Sequence, residues 1–319
     1  MAEDAAQLSW EKRFAPWAAG AALGAIVLQV VGFVMGISAN KHAPGRGDPL
    51  PIQRTLENFH VHANALLASQ AINAAANFFA AGVLFYLFRA TRHRRKELPQ
   101  VVQWLLVIAP VLLAVAVVLY WSGTKAAADK FATPTTVAHV NAKKPTKDER
   151  KDAVEFCKKD LKTTSATCVD RYARREAVAK KLADDNRSPI TAAAGFGGTL
   201  AFAFTYVILA LNAMRAGLLT RFMGVLGIIV GALMVLPILP SPVVQIFWLG
   251  AVGLLFLGRW AGGRGPAWET GKAEPWPVPE GRGGLFAPRP QAEPEPEPQS
   301  EPEPVNRPAS RKRRRKKKR

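Results

Sequence analysis

The sequence predicts an all-α polytopic membrane bundle: six transmembrane helices, an extracytoplasmic helical hairpin and a disordered C-terminal tail. Three observations carry that prediction. Apolar residues gather into six runs of about 18 to 25 residues almost free of ionisable groups, the length that crosses a hydrocarbon layer of about 30 Å. The formal charge of +19 is spread along the chain, with residues 1–122, 123–188, 189–260 and 261–319 carrying +4, +6, +3 and +6, so no single folded basic face accounts for it. Beyond Trp260 the composition turns to Gly, Pro and Glu and ends in nine basic residues.

The runs are Trp17–Ile37, Asn64–Phe88, Val101–Trp121, Ile190–Ala213, Phe222–Leu239 and Val243–Trp260. Trp17, Trp104, Trp121, Trp248 and Trp260 stand at or near run ends, where indole rings favour the headgroup zone. The last two runs are the shortest and are separated by "PSP" at 240–242. They read as a full-depth hairpin, with a re-entrant pair as the alternative. Lys and Arg in short connections set orientation: "RATRHRRKE" at 89–97, Lys12 and Arg13, and Arg215 and Arg221 lie on one side. Lys41, Arg46 and Arg54 are the sparser set on the other, which puts both termini in the cytoplasm. The first run could instead be a signal peptide cleaved after "ISA" at 37–39. Some twenty apolar residues are long for that role, so the expectation is an uncleaved span. Four regions follow: a membrane half at 1–122, an outer segment at 123–188, a second membrane half at 189–260 and a tail at 261–319.

The outer segment holds both cysteines, Cys157 and Cys168. Outside the cytoplasm such a pair oxidises, and closing so short a loop stabilises by roughly 3 kcal/mol on the chain-entropy estimate. "TKDERKDAVEFCKKDLK" opens with a capping-box pattern at Thr146 and Glu149; "TCVDRYARREAVAKKLADD" offers Thr167 and Asp170 in a related arrangement. Two helices joined by "TTSA" result, with Val154, Cys157 and Leu161 on one face and Tyr172, Ala179 and Leu182 near a face of the second. The stripe is thin, so the hairpin is expected to depend on its bridge. The spacing is not CxxC and no histidine intervenes, which argues against a metal or redox pair.

"FHVHANALLASQAINAAANFF" at 59–79 carries the most suggestive pattern. Gln70, Asn73 and Asn77 descend the second span at helical spacing and form a polar stripe entering from the outer side. The first expectation is interhelical hydrogen bonding, with Gln29 as a partner; the second is a stripe that lines a path for solute. His60 and His62, with His139, could be imagined as metal ligands. Two histidines one residue apart diverge by about 200° on a helix, so no metal site is expected. Ser69 and Thr205 lack activating partners and read as hydroxyls bonded to neighbouring carbonyls.

No Asp, Glu, Lys, Arg or His lies well inside the six runs, which leaves no acid, base or nucleophile for an intramembrane enzyme or proton-coupled transporter. "GFGG" at 195–198 lacks the Lys-Ser/Thr of a phosphate loop and opens a span instead. Gly20/Gly24, Gly32/Gly36 and Gly227/Gly231 have the GxxxG spacing that lets helices approach. Two three-helix halves around a long outer segment match the layout of inverted-repeat transporters in topology only.

In the tail, the Glu-Pro stretch reads as extended and solvated. As a flexible coil the chain after Trp260 reaches on the order of 40 Å, enough for Arg311, Lys312, Arg313, Arg314, Arg315, Lys316, Lys317, Lys318 and Arg319 to fold back onto the bilayer. Anionic lipid headgroups are the default partner, at about 1 kcal/mol per well-placed basic side chain. A protein partner comes next. Nucleic acid is less favoured because no aromatic residues interleave the basic run to stack bases.

From "GLLTRFMGVLGIIVGALMVLP" through "FWLGAVGLLFLGRWAGGRGPAWETGKAEPWP", residues 217–277, the chain resembles uncharacterised bacterial multi-span membrane proteins. The resemblance implies a bacterial plasma-membrane setting and no activity. The expected role is a non-enzymatic scaffold or regulatory protein without cofactor; the alternative is a transporter or transporter accessory subunit for a polar neutral solute.

Overall fold

A computed structural model of the chain describes residues 2–39, 52–133, 140, 144–159, 161–163, 165–236 and 241–276. Among these the secondary structure is helical, without strands. The helices are α1 (Ala2–Ala39), α2 (Ile52–Arg94), α3 (Val101–Ala132), α4 (Lys147–Lys159), α5 (Ala166–Asn186), α6 (Pro189–Arg215), α7 (Arg221–Val235), α8 (Ser241–Phe256) and α9 (Ala267–Thr270). Four of them, α1, α2, α3 and α6, are long and apolar enough to cross a membrane. α7 and α8, with 15 and 16 residues, span only about 23 and 24 Å, less than a hydrocarbon core. Residues 237–240 between them, where "PSP" begins, lie outside the described residues.

The six apolar helices form an up-and-down ring in chain order, closed by α8 against α1, with α2 also touching α6 across it. Small residues set the approach distances. A Cβ on Gly24 would lie 3.0 Å from Phe79, and one on Gly32 would lie 2.5 Å from Asn73 Oδ1, so α1 packs directly on α2. Gly227 and Gly231 press α7 onto α6 in the same way, against Ala210 and the Ala203 carbonyl. Gly20 meets no neighbour, so one of the two GxxxG pairs in α1 contributes a single contact. The shared core runs from Ala22 and Ala25 through Leu84, Leu87, Phe202 and Tyr206 to Trp248 and Val252. Outside it, Leu23, Phe33, Trp104, Ile108, Val118 and Phe204 are exposed, an apolar belt that a watery solvent would not tolerate at this density.

Of the tryptophans read as headgroup anchors, Trp17 and Trp104 are outward facing, at 74% and 61% exposure. Trp248 is not: it is completely buried and its indole donates to the Met223 carbonyl at 3.0 Å. The cause is Gly227, whose missing side chain leaves room for the ring.

The helices continue well past the apolar runs. α2 begins twelve residues before the predicted run and is interrupted at His62 (φ −116°, ψ 20°), and α3 continues to Ala132. These extensions carry a second core. Leu56, Phe59 and Leu66 of α2 and Ala127, Ala128 and Phe131 of α3 pack with Val178, Ala179 and Leu182 of α5. The capping box forms as read, with Thr146 N donating to Glu149 at 2.8 Å and Glu149 N to Thr146 Oγ1 at 3.2 Å. α5 is capped earlier than Thr167, by Ser165 Oγ accepting from Cys168 N, because serine with extended backbone stands at the helix start. α4 buries Glu149, Ala153 and Cys157, while Val154 and Leu161, assigned to that face from the sequence, are exposed. Four-residue steps from Glu149 fall on the contact with α5; Val154 is one position off that line.

At the opposite end the fold does not stop at Trp260. The chain turns back, and α9 buries Ala267 and Trp268 in the main core, so the order extends sixteen residues into the region assigned to the tail. Arg94 holds both sides. Its guanidinium makes a two-point ion pair with Glu11 at 2.6 and 2.9 Å and donates to the Ala267 carbonyl at 2.7 Å. Trp268 donates to the Leu218 carbonyl at 2.9 Å. Gly217 lies beneath this segment at φ +75°, where a Cβ would meet the Glu274 carbonyl, so both backbone hand and space require glycine there. The basic run 311–319 and the Glu-Pro stretch lie outside the described residues.

Candidate functional site

The polar stripe of α2 opens onto a groove of about 720 Å³ between α2, α3 and α6. Facing residues are small: Ala74 of α2, Ala116 of α3, and Ala192 and Gly195 of α6 line it together with Leu113, Val117 and Phe196. Gly195 stacks over Ala116, and Gly198 comes within about a Cβ contact of Leu112 and Leu113, which sets α6 close to α3 just below the opening. Gln70, Asn73 and Asn77 all line the groove, over about 10 Å of helix.

The structure also brings Tyr120, Arg187 and Thr191 to its upper end. Sequence reasoning missed these three. Arg187 stands three residues before the fourth apolar run, inside the segment 123–188, where nothing in its local pattern singles it out. Ser188 caps α6 by accepting from Ile190 N at 3.3 Å, with Pro189 at the first helical position, and this fixes where Thr191 emerges.

No hydrogen bond joins the side chains of Gln70, Asn73 or Asn77 to another described residue. The expected interhelical bond to Gln29 is therefore not formed; Gln29 is buried on α1 with its Oε1 bonded to nothing. Thr191 Oγ1 is likewise shielded from solvent without a partner. A buried amide or hydroxyl that lacks a partner costs free energy unless a ligand or water supplies one. Each amide both donates and accepts, so the lining can engage neutral polar groups, with one guanidinium at the mouth.

Elsewhere the remaining sequence candidates have ordinary structural partners. Cys157 and Cys168 are joined by a disulfide. His60 Nδ1 lies 3.0 Å from Asp129 Oδ1, which also accepts an α3 lysine, Lys125, on its other oxygen at 2.8 Å. His62 sits at the α2 interruption, and His139 lies outside the described residues. Among the described residues no three of His, Cys, Asp or Glu cluster as metal ligands. Ser69 and Thr205 bond the Leu66 and Ala201 carbonyls of their own helices at 3.3 and 2.7 Å. "GFGG" lies inside α6.

No protein-family model, curated protein or solved structure matches the chain, so its own geometry carries the functional reading.

Proposed function

We propose that the chain is a non-enzymatic protein of the bacterial plasma membrane with six spans, both termini cytoplasmic and residues 123–188 outside, that binds a polar ligand in the amide-lined groove. The observation that carries this is the convergence of Gln70, Asn73 and Asn77 on one open groove without a protein hydrogen-bond partner. α7 and α8 complete the six spans by local thinning of the bilayer, at a cost of fractions of a kcal/mol per Å of mismatch. The basic residues 311–319 serve as a clamp on anionic lipid or as a recruiting arm for a protein partner, with nucleic acid the less favoured occupant. The role is that of a scaffold or regulator responding to the bound ligand. A second reading, a transporter or accessory subunit for a polar neutral solute, is favoured by the groove's size, which matches a small-molecule site.

Cysteine labelling tests the groove. The described residues contain no free cysteine, so Asn73→Cys or Asn77→Cys adds a single reactive thiol. In sealed vesicles oriented with residues 123–188 outward, a membrane-impermeant maleimide modifies either thiol if the groove is wetted from that side. Protection of both from reagent would refute it. Asn73→Ala with Asn77→Ala then separates the two readings: lost solute uptake with unchanged folding supports transport, and unchanged uptake with altered partner recovery supports the scaffold.

A further inference from the structure

We infer that the seam between α1 and α2, at the end of the bundle where α1 begins, is a binding site for the headgroup of an anionic phospholipid. The site rests on the reading that these helices cross a bilayer, and it is independent of the groove. Two guanidiniums, Arg13 of α1 and Arg89 of α2, form its charged head. Arg89 lies 4.4 Å over the Trp10 ring, Trp10 lies 5.1 Å from Phe14, and Arg13 lies 5.7 Å over Phe14. The two cations therefore cap one pair of rings. Trp10 is in turn stacked at 5.5 Å on the buried Tyr86, whose hydroxyl donates to the Glu11 carbonyl at 2.9 Å, so the rings are anchored to both helices.

Neighbouring cations on α2 are already engaged. Arg94 pairs with Glu11, His93 with Asp4 and Arg95 with Glu97. Arg13 and Arg89 are exposed, and neither has a carboxylate within ion-pair range among the described residues. Guanidiniums already resting on aromatic faces lose little freedom on binding, and their planar fork fits two phosphate oxygens.

Depth and surface select a lipid over a soluble anion. Arg13 stands four residues, about 6 Å, beyond the outward-facing Trp17, and Arg89 stands equally far beyond the exposed Phe85. Indole rings favour the headgroup zone, so the two charges fall at the level of lipid phosphates. On the other side of the rings Gly82 is exposed, and a Cβ there would meet only Ala21 of α1, at 3.9 Å. The seam stays shallow as a result, with Trp17, Phe85 and Phe78 exposed beside it as a surface for an acyl chain. Inorganic phosphate offers the same oxygens but gains nothing from that surface.

The test is thermal unfolding of the full-length protein in neutral detergent, titrated with phosphatidylglycerol, with phosphatidylcholine of the same acyl chains, and with inorganic phosphate. Phosphatidylglycerol should raise Tm saturably where the other two do not. Arg13→Gln with Arg89→Gln should raise its half-saturating concentration about thirtyfold, the product of two contacts of the strength basic side chains make at an anionic surface. Arg215→Gln with Arg259→Gln removes the same charge from the same end of the bundle, keeps residues 311–319, and should leave that concentration unchanged. All four arginines are exposed, so neither pair threatens folding. The inference is overturned if inorganic phosphate matches phosphatidylglycerol, if Arg13→Gln with Arg89→Gln keeps the full response, or if the control pair loses as much. Phosphatidylcholine matching phosphatidylglycerol overturns the site alone, whereas a chain that stays monomeric without detergent overturns the membrane reading and the site together.

Discussion

Breaking the disulfide tests how α4 and α5 are held. Cys157 and Cys168 are 11 residues apart, and the loop-entropy relation gives about 3 kcal/mol for closing a loop of that length. Read as an isolated hairpin, α4 and α5 would both dissolve on losing that amount. The structure divides them. α5 buries Ala173, Ala177, Val178, Ala179 and Leu182, three of which join the core made with α2 and α3. Its Glu176 also accepts the Ile52 and Gln53 backbone N–H groups, capping α2. α4 buries only Ala153 and Cys157 fully among its apolar residues and adds the half-buried Phe156, stacked on Tyr172. In Cys157→Ser/Cys168→Ser the roughly 3 kcal/mol should therefore fall on α4 alone. Hydrogen exchange read by mass spectrometry should show amides 150–159 losing protection by about two orders of magnitude, while those of α5 at 173–182 keep most of theirs. Equal loss in both helices would refute docking of α5 on the shafts of α2 and α3.

Burial holds the Glu176 carboxyl above its ordinary value of 4.5, so the folded state keeps a proton that the unfolded chain has released. Stability from this group is present below that value and lost as pH rises through the raised folded one. Thermal unfolding across that window should show the decline in the native protein and not in Glu176→Gln. Arg94→Ala leaves Glu11, at 2% exposure, as an uncompensated buried charge, for an expected loss of about 3–5 kcal/mol; Arg94→Ala combined with Glu11→Leu should recover much of it in denaturation measurements. Gly217→Ala should displace residues 272–276, exposing Trp268 to a soluble fluorescence quencher, with a cost of about 1–2 kcal/mol from the left-handed backbone alone. An unchanged quenching curve would count against the clasp.

The apolar runs, the α4 cap and the α2 stripe were all legible, because each depends on spacing within one helix. What spacing could not show was where helices end. Hydropathy reports the solvent around a helix, and the polar stretch from Ile52 to Val61 stays helical because α5 and α3 cover it with side chains distant in sequence. Trp248 was misplaced for a related reason: an indole near a run end looks the same whether it meets headgroups or fills the gap left by Gly227. The return of residues 261–276 rests on Arg94, Glu11 and Gly217, each unremarkable in its own segment. Arg187 and Thr191 became groove residues only through the register of α6 against α3, which no pattern within α6 announces.

The length of α2 has a mechanical corollary. One helix carries Gln53 and Glu57 in the wall of a cavity of about 480 Å³ that it forms with α4 and α5, and Gln70, Asn73 and Asn77 in the wall of the groove, with the break at His62 between them. The two chambers are thus walled by opposite arms of a single lever whose fulcrum is already bent. Any occupant that changes the angle at His62 does work on the other chamber, and reciprocity then requires an occupant there to change the affinity of the first by the same factor.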